Sequence, residues 1–293
     1  VISLAAMATP KSDEGFFPAR DGVRLHWQTV RPPGDDATAA APAHVALIHG
    51  YAEHLGRQML PALALAKAGY VVHLIDVRGH GQSGGKRAFV ERFEDYLSDL
   101  DLFLAKVKEE ASDKPVFLLG HSNGALIAAR YLLDHPTAVR GAILSSPYLR
   151  LKLAVPGIKI AAGKLFSKIL PSLPMKNELK PEQLTRDPVI QEETRKDPQY
   201  QQIATPRWFT ESTLAQETVL RRASEFVTPV LVMVGSADPI ANPTGGTEFF
   251  EGATSKDKTF KRYEGFLHEL FHEPERERVF ADVISWLSTR VKQ

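Results

Sequence analysis

The pattern G-x-S-x-G occurs twice in this sequence, at Gly120-His121-Ser122-Asn123-Gly124 and at Gly81-Gln82-Ser83-Gly84-Gly85. Where such glycines flank a serine between a strand and a helix, they permit a strained turn that exposes the hydroxyl as a nucleophile. The bare pattern is weak, since a chain of this length meets it by chance about one time in ten at ordinary Gly and Ser usage. Context separates the two. Ser122 follows the apolar run Val116-Phe117-Leu118-Leu119 and opens the helical run Ala125 to Ala129, whereas Ser83 is followed by Gly84, Gly85, Lys86 and Arg87, which start no helix. Ser122 is therefore the candidate nucleophile and Ser83 a loop residue. A serine hydroxyl is a poor nucleophile at neutral pH without a histidine to take its proton and an acid to orient the imidazole. The rest of the chain must supply both.

The elements that would position such residues are legible. Short runs rich in Val, Ile and Leu alternate with longer helical patterns, which is the signature of parallel βαβ units. Strands are expected from His44 to His49, Tyr70 to Asp76, Pro115 to Gly120, Gly141 to Ser145, Pro229 to Gly235 and Thr259 to Tyr263. Helices are expected from Arg57 to Ala68, Phe93 to Glu110, Ala125 to Asp134, Thr244 to Glu251 and Pro274 to Val291. Phe16 to Val30 reads as an antiparallel entry hairpin. The alternation breaks once, between Pro147 and about Phe226, where helical periodicity and several prolines occur with no convincing strand. That stretch is read as a helical cap, residues 147–226, inserted into a core of residues 1–146 and 227–293. Falling between two core strands, it should sit above their carboxyl ends, where open α/β sheets bind ligands. The expected fold is α/β, a mostly parallel central sheet flanked by helices, as in the α/β-hydrolases.

In that fold the chain order is nucleophile, acid, histidine. Only His135, His268 and His272 follow Ser122, and His135 ends the elbow helix with no room for an acid-bearing strand before it. His268 comes a few residues after the last strand, in Tyr263-Glu264-Gly265-Phe266-Leu267-His268, where a loop can deliver it. His272, on the following helical turn, is the second choice. Asp238 stands at the carboxyl end of the strand Val230 to Val234, in Gly235-Ser236-Ala237-Asp238-Pro239. Its plainer reading is a turn aspartate before proline, but the other acids are worse placed. Asp134 ends the elbow helix, Asp187 and Asp197 lie in the insertion, Asp257 precedes a strand and Asp282 follows both histidines.

His49-Gly50-Tyr51-Ala52-Glu53-His54 closes the first core strand, where this fold places a backbone N–H that completes an oxyanion hole. Two donors are useful because negative charge develops on the carbonyl oxygen; the backbone amides of Tyr51 and Asn123 are assigned to that role. One motif points elsewhere. His268-Glu269-Leu270-Phe271-His272 reads H-E-x-x-H, a zinc signature. Such a site needs both histidines on one helix and a third ligand, whereas His268 is expected in a loop and Asp282 is the last carboxylate of the chain. The longer form of the motif fails at Glu275 and Arg278, and no metal ligand is assigned.

Composition narrows the classes. The chain has 293 residues, with 36 Lys and Arg against 35 Asp and Glu, a net charge of +1 that offers no whole-molecule field for nucleic acid. With no cysteine, disulfides, thiolate zinc sites and a Cys nucleophile are excluded. The longest apolar runs are strand-sized, far from the ~20 residues of a membrane span. Val1 to Pro10 lacks the basic start and apolar length of a signal peptide. A cytoplasmic setting is expected, with Met7 a candidate native start and Val1 to Ala6 an extension.

With these residues in place, the chain resembles the monoacylglycerol lipase and lysophospholipase branch of the α/β-hydrolases. The resemblance covers nearly the whole chain and rests on His49 to Arg57, Asp76-Val77-Arg78-Gly79-His80-Gly81-Gln82-Ser83, Gly120 to Gly124, Gly235 to Asp238 and Gly265-Phe266-Leu267-His268-Glu269. It implies a serine esterase, a small lipid ester as substrate, no cofactor, and a cap that accepts lipid. It also implies that Glu53 and Arg57 shape the polar end of the site, the alternative being a surface ion pair; His121, inside the elbow, is placed with them on the substrate side. Two positions depart from the branch: Asn123 stands where Met is usual and His272 where Asn is common. The stretch Ile158 to Leu170 mixes lysines with Ile158, Ala162, Leu165 and Ile169 at core-type spacing. It reads either as a cap helix packed on the core with its lysines in water or as an element lying in a lipid headgroup layer, giving peripheral membrane contact.

Overall fold

Val45-Ala46-Leu47-Ile48 is apolar on both sides of the pleat, as a strand must be when helices cover both faces of its sheet. In the computed structural model, which describes residues 10–34, 37–152, 163 and 165–291, this segment is the centre of β3 (His44–Ile48), buried throughout. Equally buried are β4 (Val71–Ile75), β5 (Val116–His121), β6 (Gly141–Ser145) and β9 (Val230–Gly235). With β1 (Lys11–Pro18), β2 (Arg24–Arg31) and β10 (Lys258–Tyr263) they form one eight-stranded sheet in the order β1-β2-β4-β3-β5-β6-β9-β10. Pairing is antiparallel at β1–β2 and β2–β4 and parallel elsewhere.

Nine helices are labelled among the described residues. They are α1 (Ala37–Ala40), α2 (Met59–Lys67), α3 (Phe93–Ala111), α4 (Asn123–Asp134), α5 (Pro181–Leu184), α6 (Pro188–Lys196), α7 (Pro206–Arg221), α8 (Pro243–Gly252) and α9 (Arg276–Ser288). Alternation along β3 divides the core. Ala46 and Ile48 join a cluster with Phe103 of α3, Leu126 of α4 and Phe249 of α8. Val45 and Leu47 join another with Leu65 of α2 and Val283 of α9. The expected strands form within one residue of their forecast ends and the expected helices within three. The entry hairpin begins earlier, at Lys11, because an exposed edge strand carries little apolar pattern.

Sheet order places the chemistry. The chain leaves β3 for β4 on one side and then crosses to β5 on the other, so the order in which strands are added reverses between the parallel neighbours β3 and β5. Register pairs Ile48 with Gly120. The turn at His49 therefore lies beside the turn at Ser122, at the switch point where such sheets take ligands.

Between β6 and β9 two expectations are corrected. Strands were not anticipated there, yet β7 (Met175–Lys176) pairs antiparallel with β8 (Ile203–Ala204). A two-residue pairing has no period for a sequence to display. Of the stretch Ile158 to Leu170, residues 158–162 and 164 lie outside the described residues. In the remainder, Leu165 and Ile169, which the packed-helix reading of this stretch would bury, are 58% and 61% exposed. Ser167, buried between them, is bonded to Thr210 at 2.8 Å and to Arg207 at 3.0 Å, so polar contacts tie this segment to α7.

Candidate functional site

Ser122 makes the turn between β5 and α4 alone, with φ 53° and ψ −114°. A residue with a Cβ is strained there, and the residues two positions away on either side must be glycines. A Cβ on Gly120 would lie 2.5 Å from the carbonyl oxygen of Gly124, and one on Gly124 only 2.4 Å from that of Ile48. The second match, Ser83, is a structural tie: its Oγ donates to the carbonyl of Asp76 at 2.5 Å and accepts the N–H of His26 at 2.8 Å.

Asp238 and His268 come from loops just beyond β9 and β10, neighbours at the sheet edge. Their convergence on Ser122 follows from parallel strands ending on one side. Ser122 Oγ–H donates to His268 Nε2 at 2.9 Å, and His268 Nδ1–H donates to Asp238 Oδ2 at 2.7 Å. Asp238 Oδ1 accepts the N–H groups of Ile240 and Ala241 at 2.8 and 3.0 Å, which locks the carboxylate. Burial opposes a charge on His268, but the adjacent Asp238 carboxylate and its hydrogen bond outweigh that and hold the imidazole above its ordinary 6.5. It can accept a proton from serine and keep it as an ion pair. His121, whose ring centre lies 5.0 Å from that of His268, is pushed down to about 4 by burial. It stays neutral and adds no competing charge.

The turn after β3 is folded around Glu53. Its carboxylate accepts the N–H of Gly50 and, at 2.8 Å, the Nε2 amide of Gln58. His49 Nδ1–H donates to the Gly50 carbonyl at 2.6 Å while its Nε2 accepts from Val77 N–H at 2.9 Å. Because the peptide is planar and trans, pinning the Gly50 carbonyl toward His49 turns the Tyr51 N–H the opposite way. Asn123 is the first residue of α4, where backbone N–H groups lack helical partners and the dipole favours an anion.

Glu53 and His121 are buried and the Arg57 side chain is 7% exposed, so the pair is not a surface one. Arg57 reaches past Glu53, 3.8 Å away, to grip Glu269 through both carboxylate oxygens at 2.7 and 3.0 Å. It also donates to Thr194 at 2.7 Å. Burial raises the Glu269 carboxyl, but Arg57 and His272 outweigh it and hold the group well below its usual range. His272 donates Nε2–H to the Arg57 carbonyl at 2.8 Å and sets Nδ1 2.9 Å from Glu269. Both nitrogens of His268 and His272 are thus engaged in different networks. Among the described residues no group of three or more His, Asp or Glu side chains converges as metal ligands. A cleft of about 370 Å³ opens on the outer side of this network, lined by His54, Arg57, Leu60, Ile190, Asp197 and His272; Ser122 does not line it.

Other residues near the site were not anticipated. Lys152 Nζ donates to the carbonyl of Asp238 at 2.9 Å. Tyr148 N–H donates to the Ser122 carbonyl at 3.1 Å, and the Trp208 ring stacks on Tyr51 with centres 3.7 Å apart. None carries a spacing signal, because each meets its partner across a long stretch of chain: Tyr148 reaches Ser122 across β6, Trp208 reaches Tyr51 from α7, and Lys152 reaches Asp238 across 86 positions.

A family profile described as Serine aminopeptidase, S33, matches residues 39–275. The chain belongs to this family. It is a serine hydrolase of the α/β-hydrolase fold. The monoglyceride lipase of Rattus norvegicus is 32% identical over 289 residues, 96% of this chain and 92% of the rat protein. Phospholipase YtpA of Bacillus subtilis is 32% identical over 240 residues, 81% of this chain and 92% of that protein. The crystal structure of Paleococcus ferrophilus monoacylglycerol lipase superposes with a TM-score of 0.79 at 28% identity, covering 96% of this chain and 99% of that one.

Proposed function

We propose that this serine hydrolase is a monoacylglycerol lipase that works through an acyl-enzyme on Ser122. The hydrogen-bonded chain from Ser122 through His268 to Asp238 carries the reading. Ser122 Oγ attacks the ester carbonyl as His268 Nε2 takes its proton; the tetrahedral oxyanion is received by the N–H groups of Tyr51 and Asn123. The C–O bond to glycerol breaks, and His268 returns the proton to the leaving alkoxide. Water then gives a proton to His268 and its oxygen to the acyl carbon, Ser122 leaves with that proton, and the fatty acid departs.

The lipid part of the reading draws on the names of the relatives and on the insertion, residues 147–226, taken as a cap. Leu165, Ile169, Leu170, Leu173 and Met175 are all exposed, and Lys168 stands exposed among them. Clustered apolar side chains flanked by a cation suit a headgroup layer, so the cap is assigned peripheral contact with a lipid surface. Among the described residues no helix is long and apolar enough to cross a membrane.

A panel of monoacylglycerols, lysophospholipids and p-nitrophenyl esters of graded length tests the assignment. Monoacylglycerol should be turned over best, and Ser122→Ala should lose a thousandfold or more, about the loss when a triad nucleophile is removed. Leu165→Ser with Ile169→Ser should weaken vesicle binding and slow long-chain hydrolysis while sparing a short ester. Preference for lysophospholipid would move the substrate to the phospholipase side, and equal losses on long and short esters would remove the surface contact.

A further inference from the structure

The turn that carries the Tyr51 N–H is not held by the core alone. Within Gly50-Tyr51-Ala52-Glu53, buried Ala52 has φ of 67°, a left-handed conformation that costs a residue with a Cβ and persists only where the surroundings over-determine it. Two restraints are internal, the Glu53 carboxylate on Gly50 N–H and His49 on the Gly50 carbonyl. The others come from the insertion. Gln201 N–H donates to the Ala52 carbonyl at 2.7 Å, and its side-chain amide donates to the Gly79 carbonyl at 2.6 Å. The Tyr51 hydroxyl donates to the carbonyl of Ile203 in β8. The Tyr51 ring lies on Trp208, 3.7 Å between centres and 21° from parallel. Trp208 in turn lies parallel to Tyr148, 6.2 Å away at 7°, and Tyr148 N–H is bonded to the carbonyl of Ser122.

Trp208 is itself fixed. Thr205 caps α7 by accepting Trp208 N–H, and its hydroxyl donates to the Ala88 carbonyl at 2.7 Å. The ring therefore bridges two rigid backbones, the turn after β3 and the chain bonded to the nucleophile.

We infer that Gln201 and Trp208 are positioning residues, through which the insertion holds the Gly50–Ala52 turn with the Tyr51 N–H presented to the reacting carbonyl. The inference rests on the serine esterase reading and on Tyr51 N–H as an oxyanion donor. An oxyanion donor counts only when charge has developed on the substrate oxygen, so loosening it lowers kcat and leaves KM nearly unchanged. A residue that merely lined the acyl channel would act on KM and in proportion to chain length.

The test uses the full chain with Trp208→Leu, Trp208→Phe and Tyr51→Phe. The readouts are kcat and KM on p-nitrophenyl acetate and octanoate, and inhibition by an alkyl trifluoromethyl ketone, which adds a serine to give a tetrahedral oxyanion. Trp208→Leu should lower kcat about tenfold on both esters, less than the hundredfold or more of losing a donor outright, and should weaken the ketone by the same factor. Trp208→Phe keeps a stacking face and should restore most of both. Tyr51→Phe, which removes the hydroxyl and with it the bonds to Ile203 and Asn177 in the same segment, should show the same pattern at a few-fold size, and it decides the matter if Trp208→Leu does not fold. An unchanged kcat, a loss confined to KM or to the octanoate, or a lowered melting temperature with ketone affinity intact would overturn the inference. Failure of the underlying reading is seen separately, as ester turnover that survives Ser122→Ala.

Discussion

Asp238→Asn should reverse the tautomer of His268. In the parent, Asp238 Oδ1 accepts two backbone N–H groups, from Ile240 and Ala241, while Oδ2 receives the Nδ1–H of His268 at 2.7 Å. An asparagine has one oxygen for these two sides. Turning its NH2 toward Ile240 and Ala241 would strand two buried donors, each at a cost of about 1–3 kcal/mol, so the oxygen stays on the backbone and the NH2 faces His268. The imidazole must then accept at Nδ1 and carry its proton on Nε2, where it points at Ser122 as a donor and cannot act as base. The same misplacement in a serine protease triad lowers kcat about 10⁴-fold, equivalent to about 5–6 kcal/mol of transition-state stabilisation. Steady-state hydrolysis of p-nitrophenyl butyrate measures the loss, and a thermal melt checks that the fold survives this isosteric change. A folded Asp238→Asn enzyme retaining more than a tenth of parental kcat would refute the orienting role of Asp238.

Ser83→Ala should leave kcat intact but cost about 1–3 kcal/mol of stability, because the His26 N–H loses its acceptor in a buried place; denaturant titration beside ester turnover separates the two effects. The pH profile of kcat/KM should have one acid limb with its midpoint above 6.5, since His268 must be neutral to act and its affinity for a proton is raised. His121, pushed down to about 4, should add no second step between pH 5 and 8, and a midpoint below 6.5 would contradict the Asp238–His268 ion pair. Acid should also loosen the fold through His73, which burial pushes down to about 3. Its folded pKa lies below the unfolded 6.5, so the unfolded chain binds more protons in between; stability is complete above about 6.5 and falls as pH drops toward 3. At pH 5 that histidine alone should cost about 2 kcal/mol relative to pH 7, read as a smaller pH dependence of the urea midpoint in His73→Gln than in the parent.

The elbow at Ser122 was legible because both glycines it needs lie within five consecutive residues: a Cβ on residue 120 would meet the backbone of Gly124 and Ala125, and one on residue 124 the carbonyls of Ile48 and His49, all within 2.6 Å, and that demand is written as one short pattern although half of it is imposed by the neighbouring strand. The central strands were legible because burial on both faces leaves an uninterrupted apolar run. Asp238 and His268 followed from their places after such strands, since parallel strands deliver their carboxyl ends to one side. The spacing of His268 and His272 was ambiguous by itself; a loop before Leu270, with each ring drawn into a different network, decided it. Partners across long separations left no trace in the chain. Arg57 could be expected near Glu53, but its grip on Glu269, 212 positions away, depends on how two loops are brought together by strands that are not neighbours in sequence. Leu165 and Ile169 show why spacing alone misleads: period tells which side chains share a face, and only packing tells which face is turned to the protein. At Tyr51 and Trp208 the sequence shows two aromatic residues 157 positions apart. Their stacking exists only because the turn after β3 meets α7, a consequence of chain topology that no local pattern encodes.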